Sequence, residues 1–232
     1  MFNHVKGFLE TSFVDFPGKI ASVVFLSSCN FRCPYCHNHS LVLNPEKYET
    51  ISMEYILSRL NRFQGWIDGV CITGGEPTLH SSLALFIREL KAQNLLIKLD
   101  TNGTNPMVLR NLLSNQLIDY VSMDVKGPLD ENRYSRCAGV SVNLDDIRDS
   151  IALLKEGTIP YEFRITVVPS LLREEDIMEW AEQLVGAQKL TLQNFNPTNP
   201  LDPQLKHEIP YNEEWFGKLQ EEVSHIHQRL YN

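Results

Sequence analysis

Apolar stretches alternate with helical patterns along this 232-residue chain, and that alternation predicts an α/β protein with a parallel sheet. Stretches typical of strands lie at residues 21–26, 69–73, 95–100, 120–125, 161–168 and 189–194. Polar and apolar residues alternate within the third, fourth and fifth of them, so each of these strands has one polar face. Together these observations predict an incomplete (β/α)6 TIM-like barrel, open on one side and followed by a C-terminal helix.

Composition predicts one folded domain without a nucleic-acid or membrane partner. The chain is 43% hydrophobic, which is sufficient for a full core, and its net charge is −8 without a dense basic run. No run of 18 apolar residues occurs, and the start lacks the layout of a secretion signal, so we expect a cytoplasmic protein. We divide the single domain into an N-terminal extension (1–19), a half-barrel core (20–196) and a tail (197–232) with a Pro-rich loop and the last helix.

The helices are predicted from apolar residues repeated at helical spacing. The extension ends at a Pro17-Gly18 turn, and the first helix opens at Ser52, after a cysteine-rich segment. Three further helices and the final one, over residues 211–230, show the same kind of spacing. The apolar positions are Ile56, Leu60 and Phe63; Leu83, Phe86, Ile87 and Leu90; Leu144, Ile147, Ile151 and Leu154; Ile177, Trp180 and Leu184; and Trp215, Leu219, Val223, Ile226 and Leu230.

The polar strand faces decide between a closed and an open barrel. A closed eight-stranded barrel fills its interior with branched apolar side chains. The apolar faces must lie under the helices, so the polar faces should line an interior that holds a polar ligand. The alternative is that they are solvated faces of an edge sheet, although parallel strands are normally covered on both faces. The residues on the polar faces are Lys98 and Asp100, then Ser122, Asp124 and Lys126, and finally Glu162, Arg164 and Thr166.

Cys29, Cys33 and Cys36 form a C-x3-C-x2-C segment after the first strand. A four-iron cluster has four corners, and three thiolates in one loop would leave one corner for another ligand. A structural zinc site completed by His37 or His39 is an alternative, although zinc ligands usually come in two separated pairs. A disulfide framework is disfavoured because the chain has 5 cysteines, an odd number, and no secretion signal.

Gly74, Gly75 and Glu76 follow the second strand. Two glycines let the backbone approach a ligand closely, and Glu76 lies where the carboxyl end of the strand meets the site. On its own such a segment is a turn, but beside three cysteines it indicates a binding edge. The remaining cysteines are too isolated for a second cluster, so Cys71 is interpreted as a small buried strand residue and Cys137 as structural.

Three cysteines followed by a strand that ends in Gly-Gly-Glu-Pro resemble the radical S-adenosylmethionine (SAM) superfamily, over about residues 20–196. The resemblance implies a [4Fe-4S] cluster on Cys29, Cys33 and Cys36, whose open iron is chelated by the amino and carboxylate groups of SAM. It also implies that the Gly-Gly-Glu segment at 74–76 contacts the SAM amino group. In that family the reduced cluster passes one electron to SAM, and the 5′-deoxyadenosyl radical so formed takes a hydrogen atom from the substrate.

Finer motifs narrow the resemblance to the activating enzymes of glycyl radical enzymes. These motifs are the segments 35–38, 100–103 and 124–126 and the segment that begins at Arg164. Several of their residues also belong to the polar strand faces. The alternative for the charged ones is an internal salt bridge, such as one between Asp124 and Arg164. The resemblance implies that SAM, and in part a monovalent cation, is bound by Tyr35, Asn38, Asp100, Thr101, Asp124, Lys126 and Arg164.

The opening segment, residues 8–19, resembles the long-form activating proteins of anaerobic, class III ribonucleoside-triphosphate reductase. That resemblance implies an enzyme that takes hydrogen from a glycine of this partner, with a flavodoxin or ferredoxin as electron donor. The chain departs from pyruvate formate-lyase activase at residues 194–197, which are Asn-Phe-Asn-Pro where that enzyme carries a His. Alternatives are activation of pyruvate formate-lyase or another glycyl radical enzyme, a radical SAM enzyme acting on a small molecule or peptide, and a non-enzymatic zinc scaffold or electron carrier.

Overall fold

A single sheet organises residues 2–157 and 159–228, the part of the chain that a computed structural model describes. Seven strands of this part lie side by side in the order in which they occur along the chain. They are β1 (Val5–Ser12), β2 (Ala21–Leu26), β3 (Gly69–Gly74), β4 (Leu96–Thr101), β5 (Tyr120–Asp124), β6 (Tyr161–Val167) and β7 (Leu190–Asn194). β1 is antiparallel to β2, whereas β2 to β7 are parallel neighbours. The predicted parallel strands are thus confirmed, to within a residue at each end.

Helices connect the parallel strands and cover the apolar face of the sheet. In the described part of the chain they are α1 (His39–Leu43), α2 (Met53–Arg62), α3 (Leu83–Lys91), α4 (Pro106–Ser114), α5 (Glu131–Ala138), α6 (Leu144–Lys155), α7 (Glu174–Gln183) and α8 (Glu213–Gln228). Crossovers of this kind are right-handed and wrap the sheet around its own interior. The result is the predicted incomplete barrel, with β1 and β7 as the edges of the sheet.

The N-terminal extension adds a strand that the sequence does not predict. β1 pairs with β2, but its register shifts between Val5 and Gly7 and again between Leu9 and Ser12. Such bulges interrupt the alternation of side chains, which is the signal by which a strand is recognised. Val5 and Ser12 are buried, whereas Leu9 is exposed. The extension therefore belongs to the barrel sheet and covers the edge of β2.

The predicted helices are present, and their apolar residues are buried against the sheet. Ser52 caps α2 by accepting a hydrogen bond from the backbone N of Tyr55, as expected of a Ser at the start of a helical pattern. α1, α4 and α5 have no predicted counterpart, because each buries only one to three residues and so shows little apolar periodicity. α5 ends at Gly139, whose φ of 70° is the left-handed conformation of many helix C-termini.

The polar strand faces line the interior of the barrel, as predicted. Lys98 is 1% exposed, Ser122 0% and Glu162 4%, so these are not the solvated faces of an edge sheet. Oγ of Ser122 and Oγ1 of Thr191 each donate to the Glu162 carboxylate at 2.7 Å, which satisfies this buried group. The opposite faces, represented by Phe163, belong to the apolar core beneath the helices.

The tail returns to the cysteine segment before it forms the last helix. The backbone N of Asp202 donates to the carbonyl of Pro34 at 2.8 Å, and Nε2 of His37 lies 2.7 Å from the carbonyl of Asn196. α8 then packs against α7 and β7 through its predicted apolar stripe, although Leu230 lies outside the described residues. None of the described helices combines the length and the apolar character needed to cross a membrane.

Candidate active site

The cysteines of the C-x3-C-x2-C segment open onto a cavity of about 520 Å³. Cys33 is buried, whereas Cys29 and Cys36 are partly exposed. Burial raises the pKa of all three thiols, that of Cys29 to about 11, so iron must displace their protons when it binds. The other predicted site residues line the same cavity, and their roles in binding stay predictions. They are Tyr35, Asn38, Gly74, Gly75, Glu76, Asp100, Thr101, Asp124, Lys126 and Arg164.

The two glycines of the Gly-Gly-Glu motif are required by the protein's own backbone. At the end of β2, Gly75 N donates to the carbonyl of Leu26 and Glu76 N to the carbonyl of Ser28, both at 2.8 Å. A Cβ on Gly75 would lie 1.7 Å from the carbonyl oxygen of Ser28, and Gly74 has a φ of 111°. The close backbone approach that two glycines predict is therefore present, but its partner is the chain's own backbone at Leu26 and Ser28, which leads into the cysteine segment.

Glu76 is only 1% exposed, and hydrogen bonds hold both of its carboxylate oxygens. Thr78 and Thr101 donate to Oε1, and the backbone N of Asn102 donates to Oε2 at 2.6 Å. Burial raises the pKa of Glu76, and these hydrogen bonds oppose the rise. Oε2 accepts a single bond, so it keeps acceptor capacity for an ammonium group in the cavity.

A chain of ion pairs forms one wall of the cavity. Asp124 pairs with Arg164 at 2.8 Å and with Lys126 at 3.0 Å. Asp100 pairs with Arg164 at 3.3 Å and with Lys98. Burial opposes the ionisation of Asp124, but Arg164 and Lys126 outweigh it and hold the pKa of that carboxyl well below its usual range. Lys126 and Arg164 line the cavity together with both carboxylates, whereas Lys98 is buried, and we call this surface the charged wall.

The charged wall contains the internal salt bridge that the sequence leaves open as an alternative, between Asp124 and Arg164. The salt bridge does not conflict with SAM binding, because Arg164 and Lys126 each carry more N–H donors than these ion pairs use and can also bind a carboxylate ligand. A monovalent cation held by the two carboxylates would have to compete with Arg164 and Lys126, and such a cation stays a prediction.

Tyr35 and Asn38 line the cavity from the cysteine segment. The Tyr35 ring centroid lies 5.9 Å from Nζ of Lys126, and burial raises the pKa of the Tyr35 hydroxyl. Within the described part of the chain this buried hydroxyl has no hydrogen-bond partner, so it can donate to a ligand. Nδ2 of Asn38 donates to the carbonyl of Gly74 at 3.1 Å and so joins the cysteine segment to the glycine motif.

Further residues hold the cysteine segment in place, and sequence reasoning does not predict this role for them. The backbone N of Arg32 donates to the carbonyl of Ala138 at 2.8 Å. Gly139 leaves room for this contact, because a Cβ there would lie 2.0 Å from the carbonyl oxygen of Arg32. Nδ2 of Asn102 donates a hydrogen bond to Oδ1 of Asn30 at 2.8 Å. Gly and Asn are common in all loops, so their presence gives no specific signal in the sequence.

The cavity fits an iron–sulfur cluster together with a zwitterionic cosubstrate. It combines three thiols, the charged wall, a buried carboxylate with acceptor capacity and a buried hydroxyl that lacks a partner in the described structure. In residues 2–157 and 159–228, no three His, Cys, Asp or Glu side chains converge as they would around a single metal ion. Fold and site together define an iron–sulfur enzyme built on an incomplete barrel.

Comparison with known proteins identifies the family. The sequence profile of the radical SAM superfamily matches residues 23–182. A protein of Methanocaldococcus jannaschii named as a glycyl-radical enzyme activating enzyme is 34% identical over 207 residues, which cover 87% of this chain and 84% of that protein. The chain belongs to the radical SAM superfamily. It is an enzyme of the radical SAM oxidoreductase class, and its cofactors are a [4Fe-4S] cluster and SAM.

A further relative agrees with this assignment, and a solved structure agrees with the fold. The pyruvate formate-lyase-activating enzyme of Clostridium pasteurianum is 30% identical over 163 residues, which cover 68% of this chain and 66% of that enzyme. The crystal structure of Streptococcus suis SuiB bound to S-adenosylmethionine matches with a TM-score of 0.67 and 17% identity, over 87% of this chain and 46% of that one. At this identity the SuiB structure supports the fold alone, and it agrees with the predicted incomplete barrel.

A buried histidine behind the glycine motif should make folding stability depend on pH. The His80 ring is stacked on that of His4 with centroids 4.0 Å apart, and its Nε2 donates to the carbonyl of Ser27 at 2.9 Å, since a carbonyl can only accept. Burial, together with His4, lowers the pKa of His80. The unfolded chain therefore takes up this proton at a higher pH than the folded chain does, and stability rises with pH.

We expect the free energy of unfolding of the cluster-free protein to fall as the pH drops below about 6.5, the ordinary pKa of histidine. Urea denaturation at a series of pH values measures this. His80→Phe keeps a ring at the position but cannot take up the proton, so it should flatten the dependence. His225→Gln, on the exposed side of α8, is the matched control and should keep the wild-type slope. Parallel curves for the wild type and His80→Phe would contradict the prediction.

Proposed function

We propose that this radical SAM enzyme is an activase that forms a glycyl radical on a partner enzyme, and that the partner is an anaerobic ribonucleoside-triphosphate reductase. The observation that carries the activase class is the 34% identity, over 207 residues, to the Methanocaldococcus jannaschii protein of that name. The choice of the reductase rests on the resemblance of residues 8–19. That segment lies close to the site, because its Asp15 lines the cavity.

We assign the cluster to Cys29, Cys33 and Cys36, and SAM to the rest of the cavity lining. When bound, the reduced cluster supplies the electron that cleaves SAM and so initiates hydrogen abstraction. The protein's own side chains bind and orient. Glu76 receives the ammonium group of SAM, and the charged wall beside Lys126 receives its carboxylate. The other residues assigned to SAM binding are Tyr35, Asn38, Gly74, Gly75, Asp100, Thr101, Asp124 and Arg164.

The open edge of the barrel suits a chain segment as the substrate. β7 is an edge of the sheet, and Gln193, Asn194 and Asn196 line the cavity at its carboxyl end. Side-chain amides both donate and accept hydrogen bonds, as peptide groups do. A glycine-bearing loop of the partner can therefore enter at this edge with its backbone matched by amides. We propose a flavodoxin or ferredoxin as the electron donor.

The proposal is tested by electron paramagnetic resonance on reduced enzyme incubated anaerobically with SAM and each candidate partner. We expect a glycyl radical on ribonucleoside-triphosphate reductase and none on pyruvate formate-lyase. A reductase whose radical glycine is replaced by alanine is the control and should give no signal. A radical on pyruvate formate-lyase alone would contradict the choice of the reductase. Cleavage of SAM to 5′-deoxyadenosine without a radical on either partner would contradict both of these partners, and the absence of a radical on every glycyl radical enzyme of the same organism would contradict the activase class.

A further inference from the structure

Asn102 follows β4 and contacts both the Gly-Gly-Glu motif and the cysteine segment, although it belongs to neither of these two. Its backbone N donates to Oε2 of Glu76 at 2.6 Å. Its side chain faces the cysteine segment, where Nδ2 lies 2.8 Å from Oδ1 of Asn30 and 4.0 Å from Sγ of Cys29. The residue is 6% exposed, so these contacts are shielded from water. One residue thus links the buried carboxylate to a cysteine of the cluster segment.

Neighbouring groups fix which end of the Asn102 amide faces the sulfur. The backbone N of Thr104 lies 3.1 Å from Oδ1 of Asn102, and a backbone N–H can only donate, so this end of the amide is the oxygen. The nitrogen must then face Asn30 and Cys29. Asn30 completes a ring of hydrogen bonds, because its own Nδ2 donates to Oγ1 of Thr104 at 2.9 Å, and Oγ1 donates to Oδ1 of Asn102 at 2.7 Å.

We infer that Asn102 is a positioning residue of the cluster, which orients Cys29 and raises the reduction potential of the [4Fe-4S] centre through an N–H···S interaction. The backbone N of Phe31, at 3.4 Å, is a second donor to the same sulfur. Donors to cluster sulfurs favour the reduced, more negative state, and hydrogen bonding of this kind is one of the determinants of cluster potential. The inference rests on the proposed ligation by Cys29.

The test compares Asn102→Ala with Asn30→Ala in the cluster-loaded enzyme without SAM. Each variant deletes one amide of the hydrogen-bond ring, but Asn30→Ala leaves the Asn102 amide held by Thr104 and facing Cys29. A potentiometric titration followed by electron paramagnetic resonance measures the midpoint potential, and iron and sulfide analysis checks the loading. We expect a more negative midpoint potential for Asn102→Ala and a near wild-type value for Asn30→Ala.

A wild-type potential in fully loaded Asn102→Ala, or equal shifts in the two variants, would overturn the inference. Equal shifts would mean that loosening of the segment, and not the donor to sulfur, sets the potential. If Asn102→Ala does not hold iron, the pair Asn102→Asp and Asn30→Asp decides, because Asn102→Asp keeps the acceptor for Thr104 and removes the donor, while Asn30→Asp adds the same negative charge nearby and keeps the donor. A more negative potential for Asn102→Asp supports the inference, and equal potentials overturn it. Failure of the ligation itself would show separately, as full iron loading in Cys29→Ala.

Discussion

Replacing Cys33 with alanine should abolish both cluster loading and SAM cleavage. Cys33 is the one buried cysteine of the segment, and its carbonyl accepts a hydrogen bond from the backbone N of Cys36 at 3.0 Å, which keeps the segment tightly turned. Mutating a residue that only hydrogen-bonds to a metal ligand lowers metal affinity by roughly 10–100-fold. Loss of a ligand itself should therefore lower the affinity for the cluster by more than ~100-fold. Iron and sulfide content after anaerobic reconstitution measures the first effect, and 5′-deoxyadenosine formation after reduction measures the second.

Cys137→Ala is the matched control for that experiment. Cys137 is buried in α5, next to the point where Ala138 contacts the cysteine segment, but it does not line the cavity. Deleting its sulfur should cost about 1 kcal/mol of stability, as for other small deletions in a core, and should leave iron content unchanged. Retention of the cluster in Cys33→Ala, or its loss in Cys137→Ala, would show that the ligand assignment is wrong.

Gly75→Ala should prevent the site from forming, although it adds a single methyl group. The added Cβ would lie 1.7 Å from the carbonyl oxygen of Ser28, and a backbone oxygen cannot move away by changing a rotamer. The destabilisation should reach or exceed ~3 kcal/mol, the upper end of the usual cost of overpacking. The strain acts on the residues that lead into Cys29, so iron content should fall together with the midpoint of thermal unfolding.

Gly217→Ala is the matched control, because it adds the same methyl group at a position with free space. Gly217 lies within α8, and a Cβ there would have no atom within 4 Å. Since alanine is the better helix former by about 1 kcal/mol, this change should raise stability slightly and leave the cluster intact. A Gly75→Ala protein that loads iron and unfolds at the wild-type temperature would refute the steric argument.

Much of the fold could be predicted from the sequence, because the alternation of polar and apolar residues along a strand also determines which side chains face the barrel interior. The alternation that places Asp100, Asp124 and Arg164 on polar faces identifies parallel strands and also indicates what the barrel encloses. The structure brings these residues together at one cavity, as expected. The cysteine spacing was equally informative, because the requirements of a metal centre are local and leave a compact pattern in the chain.

The supports of the site could not be predicted, because they depend on contacts between distant parts of the chain. The glycine motif suggested a ligand, yet the atom that excludes a side chain at Gly75 belongs to Ser28. Asn102 lies within a recognised motif, but its bond to Asn30 exists only once β2 and β4 are both in the sheet. The strand β1 escaped prediction for a different reason, since its bulges remove the period that defines a strand.

The contacts that hold the cysteine segment come from later parts of the chain, so the order of synthesis bears on when the cluster can be inserted. The segment is synthesised first, yet groups that hold it come from Asn102, Ala138 and Asp202, all of them far downstream in the chain. A nascent chain therefore displays three thiols long before their enclosure is complete, and domains fold as units during synthesis. Delivery of iron and sulfide should accordingly follow synthesis of the chain through Asp202, and a chain truncated before Asp202 should mature poorly.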